Sequence, residues 1–201
     1  SQPFLVDNRP GAGGSLGSAV VAKAPPDGYT LLVVSSAHTA NPALYGSLPY
    51  DTAKEFRGIT MLATLPLILV VAPSGNIWSV KDLLALAKAK AGQITYASSG
   101  VGSALHMGSE KFRAMAGFEG VHVPYRGTPE ALTDVMAGRV DFAFISIGNT
   151  LSPIKEGKLV ALATSTAKRS RMLPDVPTTV EVGIANSSYE PWIGMFAPAG
   201  T

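Results

Sequence analysis

Short apolar runs alternate with helical patterns along almost the whole chain, and this alternation is the feature that most restricts the fold. The runs lie at residues 4–7, 29–34, 67–72, 94–97, 121–125, 140–145 and 159–164. Most of them are apolar nearly throughout, as expected of strands that are covered on both faces in parallel sheets. Strands that alternate with helices in this way predict the α/β fold class.

Two of the intervening helices have clear start and stop signals. Ser79 precedes an apolar helical stripe and has Asp82 three residues later, which resembles a capping box, and Gly92 follows the stripe. In the second helix, Thr128 is the expected N-cap before a proline and a glutamate, and Gly138 is the expected stop. These signals predict one helix after Ser79 and another after Thr128.

No low-complexity linker separates parts of the chain, so a domain boundary must fall within the strand-like segments. The run at 67–72 is followed by a Pro-Ser-Gly-Asn turn and then by a new series of strands and helices. Another strand-like run, at 189–200, is set off by prolines. We therefore predict a first lobe at residues 1–70, a second lobe at 73–189, and a crossover strand at 190–201 that returns to the first lobe.

Charge balance and residue usage exclude several classes of protein. The 201 residues carry 16 basic and 14 acidic side chains, a net charge of +2 that is too balanced for a nucleic-acid-binding protein. Hydrophobic residues make up 46% of the chain, enough to bury a substantial core. There is no cysteine, and the three histidines have no paired ligand spacing, so we predict no metal and no cofactor.

The most unusual local feature is a glycine-rich loop, Gly-Ala-Gly-Gly-Ser-Leu-Gly at residues 11–17, which runs into a helical pattern. Leu16 stands where a dinucleotide-binding fingerprint needs its third glycine, and the lysine of a P-loop is absent. Free N–H groups and the helix dipole at such a junction favour an anion. A turn that only lets the helix pack against a strand is the alternative, and the local sequence leaves both open.

The same loop matches the G-x-S-x-G pattern of α/β-hydrolases, with Ser15 in the nucleophile position. A nucleophile elbow needs a strand that ends just before its first glycine, whereas residues 8–12 intervene here. The general base would have to be His38, His106 or His122, and none of these lies in a recognisable motif. An esterase that uses Ser15 is therefore kept as an alternative function.

Two further junctions between a strand and a helix carry polar residues. The first is a loop formed by Ser98, Ser99, Gly100, Val101, Gly102 and Ser103. The second contains Arg126, which could pair with a carboxylate or form a surface salt bridge, and Thr128. Because ligands of α/β sheets sit beyond the carboxyl ends of strands, we predict that one loop in each lobe holds one end of an acid. His106, inside a helix, is predicted to pack in the fold or to support the residues that meet the ligand, rather than to act as a catalyst.

Five segments together resemble the Bug family, the extracytoplasmic solute receptors of tripartite tricarboxylate transporters. The segments are VDNRPGAGGSLGSAVVAKAPPDGYTLL, NPALYGSLPYD, YASSGVGSALHMGSEKF, VPYRGTPEALTDVMAGRVDFAF and GKLVALATSTAKRSRMLPDVPTTVEVG. The resemblance covers essentially the whole chain. It implies a two-lobed α/β fold like that of type II periplasmic binding proteins, with mostly parallel sheets flanked by helices. It also implies a monomeric, non-enzymatic periplasmic receptor that captures a small carboxylate and delivers it to a membrane permease.

The resemblance also implies which residues meet the ligand. Ala12, Gly13 and Gly14 correspond to the first-lobe loop that meets one carboxylate, often through ordered waters, and residues 98–103 to the second-lobe loop. Thr128, in the Tyr-Arg-Gly-Thr turn, joins them. Family members often place an acidic or amide residue after Val-Asp-Phe-Ala-Phe, whereas this chain has Ile145 and then Ser146. We therefore expect Ser146 to face a plain organic acid rather than an amino acid.

Members of the family carry a strand and a loop upstream of the segment that begins this sequence, and helices beyond its end. The resemblance therefore implies an incomplete first lobe in this chain. Besides the esterase, a second alternative stays open: a sensing module that binds the same acid and signals to a membrane kinase.

Overall fold

The computed structural model describes residues 3–9 and 11–201, which form two compact α/β units. The first unit comprises the described part of Ser1–Ala63 together with Trp192–Thr201, and the second comprises Thr64–Pro191. Among the described residues, no helix combines the length and the apolar character needed to cross a membrane.

The first unit holds three strands and two helices around a small core. Its elements are α1 (Ser15–Ala22), β1 (Leu32–Ser35), α2 (Ala37–Leu44), β2 (Phe56–Thr64) and β8 (Trp192–Pro198). The strand order is β1-β8-β2, and β8 runs antiparallel to β1. Val21, Leu32 and Val34 form the buried core, with Phe56 and Phe196 packed against it.

The second unit is built on a five-stranded sheet with helices packed against it. Its elements are β3 (Leu67–Val71), α3 (Val80–Ala89), β4 (Thr95–Ser98), α4 (Ala104–Ala116), β5 (Val121–Pro124), α5 (Thr128–Met136), β6 (Phe142–Ser146), α6 (Ile147–Lys155) and β7 (Val160–Thr164). The strand order is β5-β4-β6-β3-β7. Three fully buried phenylalanines, Phe112, Phe142 and Phe144, lie in its core.

The sheets are mixed, so the prediction of mostly parallel sheets is wrong. β4 runs parallel to β5 and to β6, but β3 runs antiparallel to both of its neighbours, β6 and β7. The apolar run correctly predicted that β3 is buried along its whole length. Its faces are covered by elements such as α5 and α6, whereas its direction is set by long-range pairing that an apolar run does not encode.

The boundaries of the units differ from the predicted ones. Leu67–Val71 was placed mostly in the first lobe, but its hydrogen bonds to β6 and β7 make it a strand of the second sheet. The chain therefore changes unit between Ala63 and Thr64 and returns between Pro191 and Trp192. The two connections are hydrogen-bonded to each other, because the Leu65 N–H donates to the Pro191 carbonyl at 2.7 Å.

Six of the seven predicted strand runs contain strands, namely β1 and β3 to β7. Residues 4–7 do not, and the side chains of Phe4, Leu5 and Val6 are exposed. The sequence did not predict β2, an edge strand with mostly exposed side chains, or α2, which contains Pro42. The predictions depended on uninterrupted apolar runs for strands and on start and stop signals for helices, and these two elements lack them.

The helix signals were right at Ser79 and wrong by one residue at Thr128. The Ser79 hydroxyl accepts a hydrogen bond from the Asp82 N–H at 3.1 Å and caps α3. The N-cap of α5 is Gly127, and Thr128 is the first helical residue, with proline following it. Thr128 therefore presents its side chain from the first turn of α5 instead of capping it.

Replacing Ser79 with alanine should lower the free energy of unfolding by about 1 kcal/mol, because the cap of α3 is lost. Urea unfolding followed by circular dichroism would measure this change. Lys81→Ala in the same first turn is the control, since Lys81 is exposed and makes no cap. Equal stability of Ser79→Ala and Lys81→Ala would contradict the capping role.

Candidate functional site

Three strands of the second unit end at the same edge of the sheet, because β4 is parallel to both β5 and β6. Each strand then runs within a few residues into the N-terminus of a helix: β4 into α4, β5 into α5 and β6 into α6. Helix N-termini carry a partial positive charge and unpaired N–H groups. This edge is therefore suited to hold an anion.

The second-unit loop, residues 98–103, connects β4 to α4 and is folded by its own serines and glycines. The fully buried Ser98 accepts a hydrogen bond on Oγ from the Gly100 N–H at 3.1 Å. Ser103 caps α4 by accepting from the His106 N–H at 3.2 Å. Gly100 and Gly102 have φ angles of 116° and 77°, which a side chain would strain. Val101 between them is exposed.

Several backbone donors at this edge have no acceptor among the described residues. They are the N–H groups of Val101, Ala104 and Leu105 on the second-unit loop and α4, and those of Thr128 and Glu130 on α5. First-turn N–H groups lack partners within their own helix and are satisfied by side chains, water or ligands. The hydroxyls of Ser103, Thr128 and Ser146 add three further groups that can donate.

The β5–α5 turn is tied to the second-unit loop, since the Tyr125 N–H donates to the Ser98 carbonyl at 3.0 Å. The Tyr125 hydroxyl donates to Asp134 at 2.7 Å, and burial together with this hydrogen bond raises the pKa of Tyr125 to about 12. The backbone N–H of Arg126 donates to the Glu130 carboxylate at 3.1 Å. The Arg126 guanidinium is exposed and forms no ion pair within the described residues.

Ser146 ends β6 and precedes the first turn of α6. Its hydroxyl accepts a hydrogen bond from the Asn149 side-chain amide at 2.9 Å. The neighbouring Ile145 is fully buried in the core, as is Thr150, whose hydroxyl bonds the Ser146 and Ile147 carbonyls. Asn149 was not anticipated from the sequence, because its contact depends on the first turn of α6.

Behind the second-unit loop lies a chain of titratable side chains that the sequence analysis did not connect. His122 Nε2 lies 2.6 Å from the Ser98 Oγ, and His106 Nδ1 accepts from the Gly102 N–H at 3.2 Å. The two imidazole rings stack with centroids 4.0 Å apart. Of the two roles predicted for His106, packing or support of the residues that meet the ligand, its hydrogen bond to the loop fits the supporting one.

The chain continues through Tyr96, Glu110 and Arg113. The Tyr96 hydroxyl donates to Glu110, which also accepts from Arg113 at 2.8 Å and lies 3.8 Å from His106 Nε2. Burial opposes ionisation of Glu110, but the hydrogen bonds from Arg113 and Tyr96 hold its pKa below the ordinary value. Burial and the bond to Glu110 raise the pKa of Tyr96. An ionised glutamate therefore anchors the far end of the chain.

Burial lowers the pKa of both histidines. The pKa of His122 falls to about 4, through burial first and then through the charge of His106. In His106, burial lowers the pKa, while the charge of Glu110 raises it and that of Arg113 lowers it further. At neutral pH both rings are uncharged, so His106 can accept a hydrogen bond on Nδ1 and carry its proton on Nε2, towards Glu110.

Folding stability should fall as the pH drops from 6.5, the ordinary pKa of histidine, towards the value of about 4 that His122 has in the fold. In this range the unfolded chain binds more protons than the folded chain, so the free energy of unfolding decreases. Urea unfolding at several pH values would measure the slope. His122→Gln should give a shallower slope than the parent chain, and identical slopes would contradict this account.

The first-unit loop, residues 11–14, precedes α1 and has an unusual backbone. Gly11, Ala12, Gly13 and Gly14 have φ angles of 124°, 46°, 60° and 85°. Glycine at three of these four positions removes most of the cost of a left-handed backbone. The Gly14 N–H donates to the Gly11 carbonyl at 2.9 Å, which closes the loop.

Asn41, on α2, holds the first-unit loop in place. Its side-chain amide donates to the Gly13 carbonyl at 3.2 Å, and the side chain is fully buried. A Cβ atom on Gly13 would lie 2.9 Å from the Asn41 Oδ1, so the contact requires glycine. The Ser18 hydroxyl donates to the Gly14 carbonyl at 3.1 Å, and His38 Nδ1 lies 3.2 Å from the same Ser18 oxygen. Sequence reasoning missed Asn41, which lies 28 residues after Gly13.

The structure gives Ser15 no catalytic setting. Ser15 is buried at the start of α1, and no histidine among the described residues is hydrogen-bonded to its hydroxyl. His38 is bonded to Ser18 instead and is enclosed by the rings of Tyr50, Phe56 and Phe196. Neither the burial of Ser15 nor the hydrogen bonds among the described residues favour the esterase hypothesis. Within the described ranges, no group of three or more metal-ligating side chains forms a cluster.

The mixed sheets flanked by helices define the class of α/β proteins to which periplasmic binding proteins belong. A family model described as "tripartite tricarboxylate transporter family receptor" matches residues 1–201, and the chain belongs to this family. It is 38% identical over 201 residues to a protein from the tcbD–tcbE intergenic region of Pseudomonas sp. strain P51. It is also 35% identical over 202 residues to BugT of Bordetella pertussis, which confirms the resemblance to the Bug family.

Both matches include the whole of this chain, but the chain covers only 60% and 62% of the length of these two relatives. Among solved structures, it matches Rpa4515 of R. palustris, determined with adipate, with a TM-score of 0.91 and 34% identity over 98% of this chain and 67% of that one. It matches MatC of Rhodopseudomonas palustris, determined with malate, with a TM-score of 0.86 and 31% identity over 95% of this chain and 65% of that one.

Proposed function

We propose that this chain is the ligand-binding part of a periplasmic receptor that captures a small organic carboxylate and delivers it to the permease of a tripartite tricarboxylate transporter. The observation that carries the proposal is the edge of the second unit, where three helix N-termini follow three parallel strands. Free N–H groups on α4 and α5 and the hydroxyls of Ser103, Thr128 and Ser146 can all donate to a carboxylate.

The relatives support the same chemistry. Two structures with high similarity to this chain were determined with dicarboxylates, adipate in one and malate in the other. The family model supports a receptor rather than an enzyme, and a receptor needs no activated nucleophile or general base. Delivery to a permease, a periplasmic location and a monomeric state are proposed from the family.

We propose that both loops take part. In the second unit, residues 98–103 and Thr128 would receive a carboxylate, and in the first unit Ala12, Gly13 and Gly14 would also meet carboxylate, partly through water. Ser146, which bonds Asn149 and has no carboxylate partner, offers nothing to neutralise an ammonium group. The ligand is therefore a plain organic acid rather than an amino acid.

Thermal unfolding in the presence of matched compounds tests the proposal. Adipate, malate and succinate are compared with their neutral diamides, and succinate is compared with aspartate, which differs from it by an ammonium group. A specific ligand raises the melting temperature as its concentration exceeds the dissociation constant. We expect at least one dicarboxylate to stabilise the chain, with its diamide and aspartate having no effect. The proposal would be refuted if the diamides stabilised the chain as strongly as the acids do, or if none of the acids stabilised it.

A further inference from the structure

The stacked pair His106–His122 lies directly behind the second-unit loop and makes two of the hydrogen bonds that shape it. His106 Nδ1 accepts from the Gly102 N–H, and His122 Nε2 pairs with the Ser98 hydroxyl, which in turn accepts from the Gly100 N–H. Between them, the two rings fix residues at both ends of the loop. Neither ring belongs to the set of donors assigned to the ligand.

We propose that His106 and His122 are positioning residues for the carboxylate-binding loop, and that the loop keeps its binding geometry only while the His106 ring is neutral. The inference rests on the proposed function of the loop. It adds a property that the donors themselves lack, since backbone N–H groups do not titrate. Acidification thus weakens carboxylate binding through the loop.

The direction of the effect follows from where a second proton would go. With one proton on His106 Nε2, facing Glu110, a second proton must go to Nδ1, where the Gly102 N–H points. Two N–H groups cannot bond each other, so the Gly102 contact is lost. A proton on His122 Nε2 would make the ring the donor to the Ser98 Oγ, and the Ser98 hydroxyl would then donate to the Gly100 carbonyl, 3.1 Å distant.

The charged and titratable groups that face the pair lie on β4 and α4, with one more in the segment between α4 and β5. Tyr96 on β4 stacks on His122 with centroids 5.2 Å apart and on His106 at 6.5 Å. Glu110 and Arg113 on α4 lie beyond His106, and Arg113 also pairs with the exposed Glu119 at 2.8 Å. Burial opposes a charged His106, Glu110 favours one and Arg113 opposes it, while burial and then the charge of His106 oppose a charged His122. The balance keeps both rings neutral at neutral pH and lets them charge in acid.

A ligand-free measurement tests the coupling between the rings and the loop. In 15N-labelled chain, the amide proton of Gly102 and the ring protons of His106 are followed by NMR from neutral pH to about pH 4. We expect the Gly102 amide to move upfield with the same midpoint as the His106 ring, because its acceptor is lost. A Gly102 amide that stays constant while His106 titrates would overturn the positioning role.

A binding measurement tests the consequence for the ligand. Adipate affinity is measured by calorimetry for the parent chain, His106→Ala, His106→Asn and the double variant His106→Asn/His122→Gln. His106→Ala leaves the Gly102 N–H without an acceptor and should weaken binding at neutral pH about tenfold. His106→Asn places an uncharged amide oxygen near the position of Nδ1 and should recover part of this loss.

Acid then separates a positioning role from simple packing. At a given pH, adipate is protonated to the same extent with every variant. The ratio of the affinities of two proteins therefore reports only the effect of the imidazole rings. Between neutral pH and about pH 4.5 the parent chain should lose several-fold more affinity than the double variant. Equal losses, or unchanged binding by His106→Ala, would overturn the inference. If adipate and malate bind no variant at any pH, the proposed function fails, and the Gly102 titration still decides the coupling by itself.

Discussion

Ser98→Ala should lower the affinity for a dicarboxylate at least tenfold and destabilise the second unit by about 1–3 kcal/mol. Besides the Gly100 carbonyl, the fully buried Ser98 hydroxyl has two partners that would be left unpaired, the Gly100 N–H at 3.1 Å and His122 Nε2 at 2.6 Å. Removing it leaves both of them without a bond in a place that water reaches poorly. The second-unit loop then loses the contact that fixes Gly100 and, with it, the direction of the neighbouring free N–H groups.

Ser109→Ala is the matched control for Ser98→Ala. Ser109 is also fully buried, but its hydroxyl donates to the Leu105 carbonyl at 2.9 Å, an acceptor that the helix backbone also uses. Its loss orphans no group, so stability should fall by less than about 1 kcal/mol and affinity should stay unchanged. Calorimetric titration with adipate and urea unfolding would compare the two variants. Ser98→Ala binding as tightly as Ser109→Ala would contradict the role of the loop.

Gly13→Ala should destabilise the first unit by about 2 kcal/mol, since an alanine pays about 1–2 kcal/mol for a left-handed backbone and also meets a neighbour. The φ angle of Gly13 is 60°, and its new Cβ would lie 2.9 Å from the Asn41 Oδ1. Asn41 would have to move and would weaken its hydrogen bond to the Gly13 carbonyl. If this loop meets one carboxylate, adipate affinity should fall about tenfold as well.

Two further variants separate the causes. Gly17→Ala lies within α1, where a Cβ would make an ordinary 3.6 Å contact with Arg9, and should stabilise the chain by about 0.5–1 kcal/mol. Gly13→Ala in an Asn41→Ala background should cost less than in the parent chain, because the close contact is gone. Urea unfolding compares the parent chain, Gly13→Ala, Gly17→Ala, Asn41→Ala and the double variant Gly13→Ala/Asn41→Ala. Equal costs in the two backgrounds would show that Asn41 does not constrain the loop.

The sequence predicted those parts of the fold that depend on neighbouring residues. Apolar runs located β1 and β3 to β7, and the i, i+3 pattern at Ser79 located the start of α3, because both signals are local. The direction of β3 was not predictable in this way, since it results from pairing with β6 and β7, more than 70 residues along the chain. β2 was missed because Arg57, Gly58 and Thr60 interrupt its apolar residues.

In the candidate site, too, the residues that follow local sequence patterns were predictable, and those placed by long-range packing were not. The glycines and serines of the two loops could be found from the sequence, because each stands at a junction of a strand or turn with a helix. Asn41 and His122 could not, since their contacts with Gly13 and Ser98 join residues 28 and 24 positions apart. Side chains that shape a loop from behind are placed by the packing of other elements, so a local pattern does not reveal them.

An NMR titration of the 15N-labelled chain with adipate tests most directly whether the two loops bind a carboxylate, and the neutral diamide is the control. We expect adipate to shift the amide resonances of residues 12–14, residues 98–105 and Thr128, and the diamide to leave them in place. Binding of adipate that shifts other amides while these stay constant would contradict the assignment of the site. Shifts of the same size with the diamide would contradict recognition of the carboxylate charge.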